Sequence, residues 1–391
     1  MRVFFVCRYF YPYLGGNENQ CLKLAKYLKE HKEVFVEIVT DCYSKKLLNF
    51  EDIDSIPVTR INSLSNLFNI GPHTISIKKQ NLFDRIINRF RYTFTEYYFQ
   101  FSILLHLFRI RKSIDVVHFH QGSFTLFARI IASILKKPVI VKDSTYNGLK
   151  ILNYLTVLPI NNFFFKKINF IAVSSQIKKN FINIYNIPAS KIFFIPNGVE
   201  TIENKINFFK EKNPPKLLFL GNFWQGKIKG LDLLLLALGL VKIKFPNIKL
   251  IIAGSGNLED YSNIIKEYDL EENIEYLGNI SFPVELFKQN PIFILPSRSE
   301  GMSNSLLEAM SYGLPCISSK VSGSTDIIDH DKNGLLFDIG SVNELEKCIL
   351  SLYVNADKRE KLGNEAIKKI NSSFNIEVVA QKYIELYSSL I

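Results

Sequence analysis

Two glutamates, Glu300 and Glu308, follow a short apolar run that predicts a buried strand. A polar stretch with one glycine, residues 301–305, separates them and predicts a loop that opens a helix. One glutamate in that loop and one about a turn into the helix can face the same crevice. There, carboxylates accept hydrogen bonds from sugar hydroxyls, and backbone amides at the helix start receive phosphate. Because Ser305-x-x-Glu308 has the spacing of a capping box, the alternative for Glu308 is a purely structural cap.

A second candidate loop, residues 221–230, follows another apolar run and carries Lys227 and Lys229 among three glycines. Lysines beside a helix N-terminus suit a diphosphate, because charge-assisted hydrogen bonds add to the helix dipole there. The glycine pattern is not that of a Walker A loop, and a solvated loop is the alternative.

The first half of the chain contains two further predicted strand ends. Gly15 and Gly16 stand between the first apolar strand and a helix, where glycine lets the backbone approach an anion closely; an ordinary turn is the alternative. His118 and His120 alternate along a strand, so both side chains share one face and could address the same cleft. A metal site would need a third ligand, which the neighbouring sequence lacks. The alternative is a buried, hydrogen-bonded histidine.

These loops are expected at the ends of short apolar strands that alternate with helical stretches along the chain. The alternation predicts an α/β protein with two doubly wound, parallel-sheet domains, in which ligands bind at the carboxyl ends of strands. The predicted strands are Val3–Cys7, Val34–Thr40, Val116–Phe119, Val139–Lys142, Phe170–Val173, Leu217–Leu220, Leu250–Ala253, Ile274–Leu277, Ile292–Leu295 and Cys316–Ser318. A polar, charged segment at 201–215 predicts the linker between the domains.

Composition excludes several classes of protein. The chain has 391 residues, of which 47% are hydrophobic, so it can bury sizeable cores and is neither disordered nor fibrous. The longest charge-free stretch, Ile151–Phe165, falls short of the roughly 20 apolar residues that a transmembrane helix needs. No leader-like segment precedes the first strand, so we expect a cytoplasmic protein. The five cysteines have no metal-ligand spacing and are expected to be free thiols.

The formal charge of +11 is unevenly distributed. Residues 1–200 carry 27 Lys and Arg against 13 Asp and Glu, whereas residues 201–391 carry 21 against 24. The basic first half suggests that it faces a polyanion. In its densest basic segment, Lys78–Lys112, Arg85, Arg89 and Arg91 flank an apolar helical stripe, which suits an anionic membrane surface; a core-facing helix is the alternative. The stripe consists of Leu82, Phe83, Ile86, Ile87 and Phe90.

The segment around the two glutamates, SEGMSNSLLEAMSYGLP, resembles the signature of the retaining GT-B glycosyltransferases of glycosyltransferase family 4. Further matches follow in order: GG at 15–16, DVVHFH at 115–120, FIAVSS at 170–175, IPNGV at 195–199, KG at 229–230, AGSG at 253–256 and NGLLF at 333–337. The resemblance implies a GT-B fold, with two Rossmann-like domains that face each other across a cleft. Residues 1–195 would bind the acceptor and residues 196–374 the nucleotide-sugar donor, and a C-terminal helix, 375–391, would pack back on the first domain.

The resemblance also implies roles for individual residues. Glu308 would hold the donor ribose, Glu300 the transferred sugar and Lys229 the diphosphate, while His120, with His118 as second choice, would lie by the reacting carbon and the acceptor hydroxyl. The remaining donor-site residues would be Gly16, Asn222, Lys227, Gly301, Met302, Ser303, Asn304 and Ser305. The acceptor side would comprise Gly15, His118, His120 and Lys142.

Three positions depart from the family pattern. Asn222 stands where an Arg usually accompanies the lysine on the diphosphate, so either Lys227 supplies the charge or the donor binds more weakly. Asp326 stands where the family commonly has Glu. Lys142-Asp143-Ser144 replaces a Thr/His-Gly stretch on the acceptor side.

The resemblance implies retaining transfer from a nucleoside-diphosphate sugar, with UDP-sugar favoured. From the basic, aromatic first half of the chain we expect the acceptor to be a lipid-linked or cell-envelope polysaccharide intermediate at the cytoplasmic membrane face. The leaving diphosphate would take the acceptor proton, with no metal ion or other cofactor. A glycosyltransferase with a soluble acceptor and a non-catalytic binder of nucleotide sugars or polyanions are the alternatives. The absence of GxGxxG argues against a dehydrogenase, and no nucleic-acid-binding pattern is present. The oligomeric state is left open.

Overall fold

The computed structural model describes residues 1–13, 15–67, 82–144, 168–201, 214–223, 226–280, 283–289 and 291–391. Within these ranges the chain forms two compact units, of which the first comprises Met1–Gly198 and Val379–Ile391 and the second Val199–Val378. Most of the predicted linker, residues 202–213, lies outside the described residues. The five cysteines are free thiols, as predicted.

The first unit is built on an eight-stranded sheet. Its strands are β1 (Arg2–Val6), β2 (Phe35–Asp41), β3 (Phe50–Ile53), β4 (Ile56–Ile61), β5 (Val116–Phe119), β6 (Val139–Asp143), β7 (Asn169–Ala172) and β8 (Ile192–Phe194). Their order in the sheet is β3-β4-β2-β1-β5-β6-β7-β8, and every described pair is parallel except the β3–β4 hairpin. Strands β5, β6 and β7 are buried along their whole length, as expected of central strands that are covered on both faces.

Four described helices connect or cover these strands. They are α1 (Gly16–Lys32), α2 (Leu82–Arg109), α3 (Thr125–Leu135) and α4 (Ser175–Asn183). Helix α1 follows the carboxyl end of β1, so its N-terminus lies at the strand edge where ligands bind in doubly wound sheets.

The second unit repeats the architecture with six parallel strands. They are β9 (Leu217–Leu220), β10 (Leu250–Ala253), β11 (Ile274–Gly278), β12 (Ile292–Leu295), β13 (Cys316–Ser319) and β14 (Leu335–Phe337), in the order β11-β10-β9-β12-β13-β14. The helices of this part are α5 (Leu231–Lys244), α6 (Ser262–Glu267), α7 (Val284–Phe287), α8 (Asn304–Ser311), α9 (Ser322–Ile327), α10 (Val342–Tyr353) and α11 (Ala356–Ser373). The predicted fold class, two α/β units with parallel sheets, is confirmed.

The last helix, α12 (Ile376–Leu390), belongs to the first unit from Val379 onward. Its Tyr383 and Tyr387 are buried in the same apolar core as Phe5 of β1 and Cys21 of α1. No helix within the described ranges has both the length and the apolarity to span a membrane.

Candidate functional site

Glu300 lies in the loop after β12, where two side chains hold its carboxylate. Lys229 Nζ donates to Glu300 Oε1 at 2.6 Å, and Ser297 Oγ donates to the same oxygen at 2.8 Å. The Lys229 side chain is 31% exposed and the Glu300 side chain 11% exposed. An accessible cation and a fixed carboxylate are therefore presented side by side at the carboxyl edge of the second sheet.

The close approach of the turn at residues 226–230 to the loop after β12 depends on Gly230. Its φ of +70° favours glycine, and a Cβ at this position would lie 1.9 Å from the carbonyl oxygen of Pro296. The short helical turn Gly226–Lys229 ends just before it, and Arg298 N donates to Ile228 O at 2.7 Å. The lysine that ends this turn is thereby placed against the loop after β12.

Arg298, which the sequence reasoning missed, joins the same two loops. Its guanidinium donates two hydrogen bonds to the buried carboxylate of Asp232, at 2.7 and 2.8 Å, and another to the carbonyl oxygen of Lys227. Lys227 Nζ lies 3.8 Å from Asp232 Oδ2, and its side chain is 76% exposed. The guanidinium of Arg298 therefore holds the turn that carries Lys227, and Asp232 of helix α5, against the loop after β12. Its only signal in the sequence is its place in the SRSEG segment.

Asn222 itself links two loops at this strand edge. Its side-chain Oδ1 accepts a hydrogen bond from Ser255 N at 2.9 Å, which connects the loop after β9 to the loop after β10. Gly254 has a φ of +134°, and a Cβ there would lie 2.2 Å from Gly221 O. The exposed Asn222 therefore helps to shape the edge of the predicted donor site.

Helix α8 is capped by Ser303, whose Oγ accepts a hydrogen bond from Leu306 N at 3.3 Å. The alternative of a capping box formed by Ser305 and Glu308 does not hold, because the helix begins at Asn304 and places Ser305 within its first turn. The Ser305 hydroxyl lies 3.0 Å from that of Ser303. Glu308 is half-buried, one turn further along the helix.

The loop before α8 rests on helix α9. A Cβ on Gly323 would lie 2.4 Å from Gly301 O and 2.5 Å from Met302 Cα, so only glycine permits this approach. Gly301 and Met302 are both buried. Close backbone contact thus fixes the direction in which the first N–H groups of α8 point, as a preformed anion site requires.

In the first unit, α1 starts at Gly16, with Gly15 in an extended conformation as its N-cap. Glu18, a second residue that the sequence reasoning missed, folds back over this helix start: a Cβ on Gly15 would lie 2.6 Å from Glu18 Oε2. Burial raises the pKa of Glu18, and backbone hydrogen bonds at Glu18 and Gly15 partly oppose this. The Glu18 carboxyl group therefore lies against the start of α1, beside Gly16, whose N–H the resemblance assigns to the diphosphate.

The rings of His118 and His120 stack with their centroids 4.2 Å apart, and both are fully buried. His118 Nδ1 lies 2.8 Å from Tyr387 Oη. His118 Nε2 and both ring nitrogens of His120 have no hydrogen-bond partner within the part of the chain that the structure describes. Burial, and then nearby Lys142, lower the pKa of His118 well below its usual range. The pKa of His120 is also lowered well below its usual range, most strongly by burial and then by nearby His118 and Lys142. Both rings are therefore neutral at pH 7.

Lys142, at the end of β6, is buried beside these rings. Burial lowers its pKa to about 8, and its Nζ lies 5.9 Å from the centre of the Tyr383 ring. His118, His120 and Lys142 thus form one buried polar cluster, which places three of the four predicted acceptor-side residues together. Among the described residues, no group of three His, Cys, Asp or Glu side chains could hold a metal ion.

Two family models together match most of the chain. The model of Glycosyltransferase Family 4 matches residues 14–203, and that of Glycosyl transferases group 1 matches residues 200–369. An uncharacterized glycosyltransferase of Methanocaldococcus jannaschii is 26% identical and covers 98% of this chain and 97% of its own. The lipopolysaccharide 1,6-galactosyltransferase of Escherichia coli K12 is 35% identical over 44% of this chain and 48% of its own.

Among solved structures, Anabaena HepE in complex with UDP is similar over the full length of both chains. The TM-score is 0.73 and the sequence identity 18%. At this identity the similarity shows the fold, which is GT-B as predicted.

Proposed function

We propose that this chain transfers a sugar from a nucleoside-diphosphate sugar to an acceptor hydroxyl with retention of anomeric configuration. The chain belongs to the glycosyltransferases, because the models of Glycosyltransferase Family 4 and Glycosyl transferases group 1 match its two halves. UDP-sugar is the donor we favour, because a protein of the same fold, Anabaena HepE, was solved with UDP. The acceptor we propose is a lipid-linked or cell-envelope polysaccharide intermediate at the cytoplasmic face of the membrane. The name of the E. coli lipopolysaccharide relative supports this choice.

The observation that carries the donor half of this proposal is the pair formed by Lys229 and Glu300. The Lys229 side chain is 31% exposed, and its ammonium lies 2.6 Å from the Glu300 carboxylate. A small rotation of the lysine side chain would bring the ammonium to a bound diphosphate. The start of α8 offers N–H groups for phosphate oxygens, and Glu308 lies within reach of a ribose bound there. We therefore assign donor binding to residues 196–374 and acceptor binding to residues 1–195.

The chemistry breaks the bond between the anomeric carbon and the diphosphate oxygen and forms one to the acceptor oxygen on the same face of the sugar. The acceptor proton passes to the leaving diphosphate oxygen, so no carboxylate nucleophile is needed and the two glutamates are not a hydrolase pair. Lys229 and the helix start stabilise the charge that develops on the leaving group, which is the largest contribution to such transition states. His120 would lie on the acceptor side. We propose that no metal ion takes part.

A nucleotide-release assay with UDP-, GDP- and ADP-sugars tests the proposal. We expect release of one nucleoside diphosphate by the wild-type protein and a loss of about 100-fold in Lys229→Met, since one fixed donor to a developing oxyanion accelerates reactions by that order. Lys347→Met, which removes an exposed lysine of the second unit, is the matched control and should behave as the wild type. Equal release by Lys229→Met would contradict the assigned role of the lysine, and no release from any donor would contradict the function.

A further inference from the structure

Helix α2 is apolar on two opposite faces. Phe99, Ile103 and Leu107 on its inner face are fully buried. Its outer face exposes between 40% and 70% of each of seven large side chains, which we call the outer stripe: Phe90, Phe94, Tyr97, Tyr98, Phe101, Leu105 and Phe108. Spaced mostly by three or four residues, they line one side of the helix over about 27 Å, at 1.5 Å per residue. An exposed apolar patch of this extent marks an interaction surface.

Positive charge stands at both ends of the outer stripe. Arg89 and Arg91 flank Phe90, and the basic residues after Phe108 are Arg109, Arg111 and Lys112. The only acidic residue between 87 and 112 is Glu96, which is ion-paired with the buried Arg8. The charge that the stripe displays at its ends is therefore positive.

Helix α2 is attached to the core of the first unit, so the side chains of the outer stripe project from a helix that is held in place. Arg8, just after β1, donates to Glu96 and, at 3.0 Å, to Thr95 Oγ1. Its guanidinium also lies 4.2 Å from the centre of the Tyr92 ring. A surface held in this way keeps its geometry when it meets a partner.

We propose that the outer stripe docks on an anionic lipid surface, with its aromatic rings at the headgroup level and its basic ends against lipid phosphates. Charge complementarity selects this occupant. A second copy of the chain is disfavoured, because pairing two stripes in either direction brings basic ends together. The proposal rests on the function proposed above and specifies where an enzyme with a membrane-bound acceptor meets its membrane.

The location differs in part from the stripe predicted from sequence. That stripe spans 82–90 and shares only Phe90 with the outer stripe. Among the predicted residues, Lys78 and Lys79 and the side chains of Leu82, Phe83, Arg85 and Ile86 lie outside the described residues.

The test is co-sedimentation of the full chain with vesicles of phosphatidylcholine, with and without phosphatidylglycerol, over a salt series. We expect binding to the anionic vesicles only, weakening as salt rises. The apolar variant Phe94→Ser/Phe101→Ser/Leu105→Ser and the charge variant Arg89→Gln/Arg109→Gln/Lys112→Gln should each lose at least about tenfold in partitioning. Thermal melts establish that each variant is folded, and the charge variant still tests the proposal if the apolar one is not.

Two control variants remove equivalent groups elsewhere. Leu48→Ser/Phe50→Ser/Ile243→Ser removes exposed apolar side chains, and Lys45→Gln/Lys46→Gln/Lys361→Gln removes three exposed charges. Both should bind vesicles as the wild type does.

The proposal is overturned if the wild type binds neutral and anionic vesicles equally or binds neither, or if a folded apolar or charge variant binds as the wild type does. It is also overturned if sedimentation equilibrium reveals a dimer that the apolar variant dissociates while vesicle binding is absent. Nucleotide release measured without vesicles tests the proposed function separately. Loss of that activity with docking intact would refute the function, and the reverse would refute only the docking surface.

Discussion

Glu300 and Glu308, the two glutamates that we propose bind the donor, are held by different contacts. Glu300 is fixed in a loop by hydrogen bonds from Lys229 and Ser297, so its removal releases the lysine as well. Glu308 stands on a helix whose cap is Ser303, so the capping role that the sequence suggested for it falls to another residue. Substitutions of Glu300 and Glu308 should therefore have different effects on donor affinity and on turnover.

We predict that Glu308→Ala lowers affinity for the nucleotide donor by about 1–3 kcal/mol, the cost of leaving a polar group of the bound donor without its partner. Glu300→Gln should lower kcat more than donor affinity, because it disturbs the lysine beside the reacting bond. Calorimetry with UDP and steady-state kinetics measure the two effects. As a comparison, Ser303→Ala should lower stability by about 1 kcal/mol through loss of the helix cap. Unchanged UDP affinity in Glu308→Ala, with only a lower Tm, would mean that Glu308 is structural.

The burial of His120 lowers the stability of the folded protein. Both of its ring nitrogens are buried without a hydrogen-bond partner in the described structure, and such groups typically cost about 1–3 kcal/mol. Residues that break a packing rule in this way are often retained for function.

We predict that His120→Leu keeps or raises the Tm at pH 7 yet strongly lowers transfer. The pKa of His120 is depressed in the folded protein, so the unfolded chain takes up the proton first as the pH falls below about 6.5. The free energy of unfolding therefore falls as the pH drops below this value, and His120→Leu should reduce the slope by up to about 1.4 kcal/mol per pH unit. Denaturation between pH 7 and 5 measures the slope. A variant that is less stable at pH 7 but fully active would reverse the interpretation.

At the scale of elements, the site of the second unit depends on how closely its loops approach. Gly230 allows the turn that carries Lys229 to touch Pro296, and Gly323 allows α9 to touch the loop before α8. These contacts are made by backbone atoms, so they tolerate no side chain.

We predict that Gly230→Ala destabilises the second unit by several kcal/mol and weakens donor binding, because the new Cβ would overlap Pro296 O and the φ of +70° is strained for alanine. Gly340→Ala is the matched control: its φ of +85° is also positive, but nothing lies within 4 Å of a Cβ there. The control should therefore show only the backbone strain, about 1–3 kcal/mol, with donor affinity unchanged. Equal losses in both variants, in thermal melts and UDP titrations, would refute the importance of the loop contact.

The elements that the sequence predicted well are the central apolar strands. Leu217–Leu220 and Ile292–Leu295 are strands with the predicted bounds, since continuous apolar runs are typical of strands buried on both faces. Strand β3 was not predicted, because Phe50–Ile53 contains two acidic residues and pairs only at the sheet edge. Strand β8 has only three residues, between Lys191 and the Ile195-Pro196 dipeptide, and is too short to show a periodic signal.

For the site, spacing identified the loops but not their partners. Arg298 became significant only when folding brought it to Asp232, 66 positions earlier in the chain. The Arg298 contact is set by tertiary packing, which local pattern cannot supply. Glu18 is different, because it lies three residues after the N-cap Gly15, which is the local spacing of a capping-box glutamate.

At the scale of the whole molecule, charge is distributed unevenly between the two halves of the chain. Residues 1–200 carry the whole positive excess and include the outer stripe, whereas residues 201–391 have slightly more acidic than basic residues and include the Lys229–Glu300 pair. This division of charge supports the proposal that the first half binds an acceptor on an anionic surface and the second half a soluble donor.

We predict that transfer is independent of divalent metal, since Lys229 and the N–H groups at the start of α8 are proposed to neutralise the diphosphate. Activity measured with and without EDTA should agree within about twofold, well inside the 100-fold loss expected for removing one oxyanion donor. Activity that EDTA abolishes and that magnesium or manganese restores would contradict the proposed role of the lysine.

The most direct test of retaining transfer is a proton NMR time course of wild-type protein with UDP-glucose and other nucleotide sugars, with magnesium present and with water as the acceptor. We predict that one donor is consumed, that its nucleoside diphosphate accumulates, and that the first sugar signal has the same anomeric configuration as the donor, before mutarotation mixes the anomers. First appearance of the opposite anomer would contradict retention, and donors that all stay intact would contradict transfer itself.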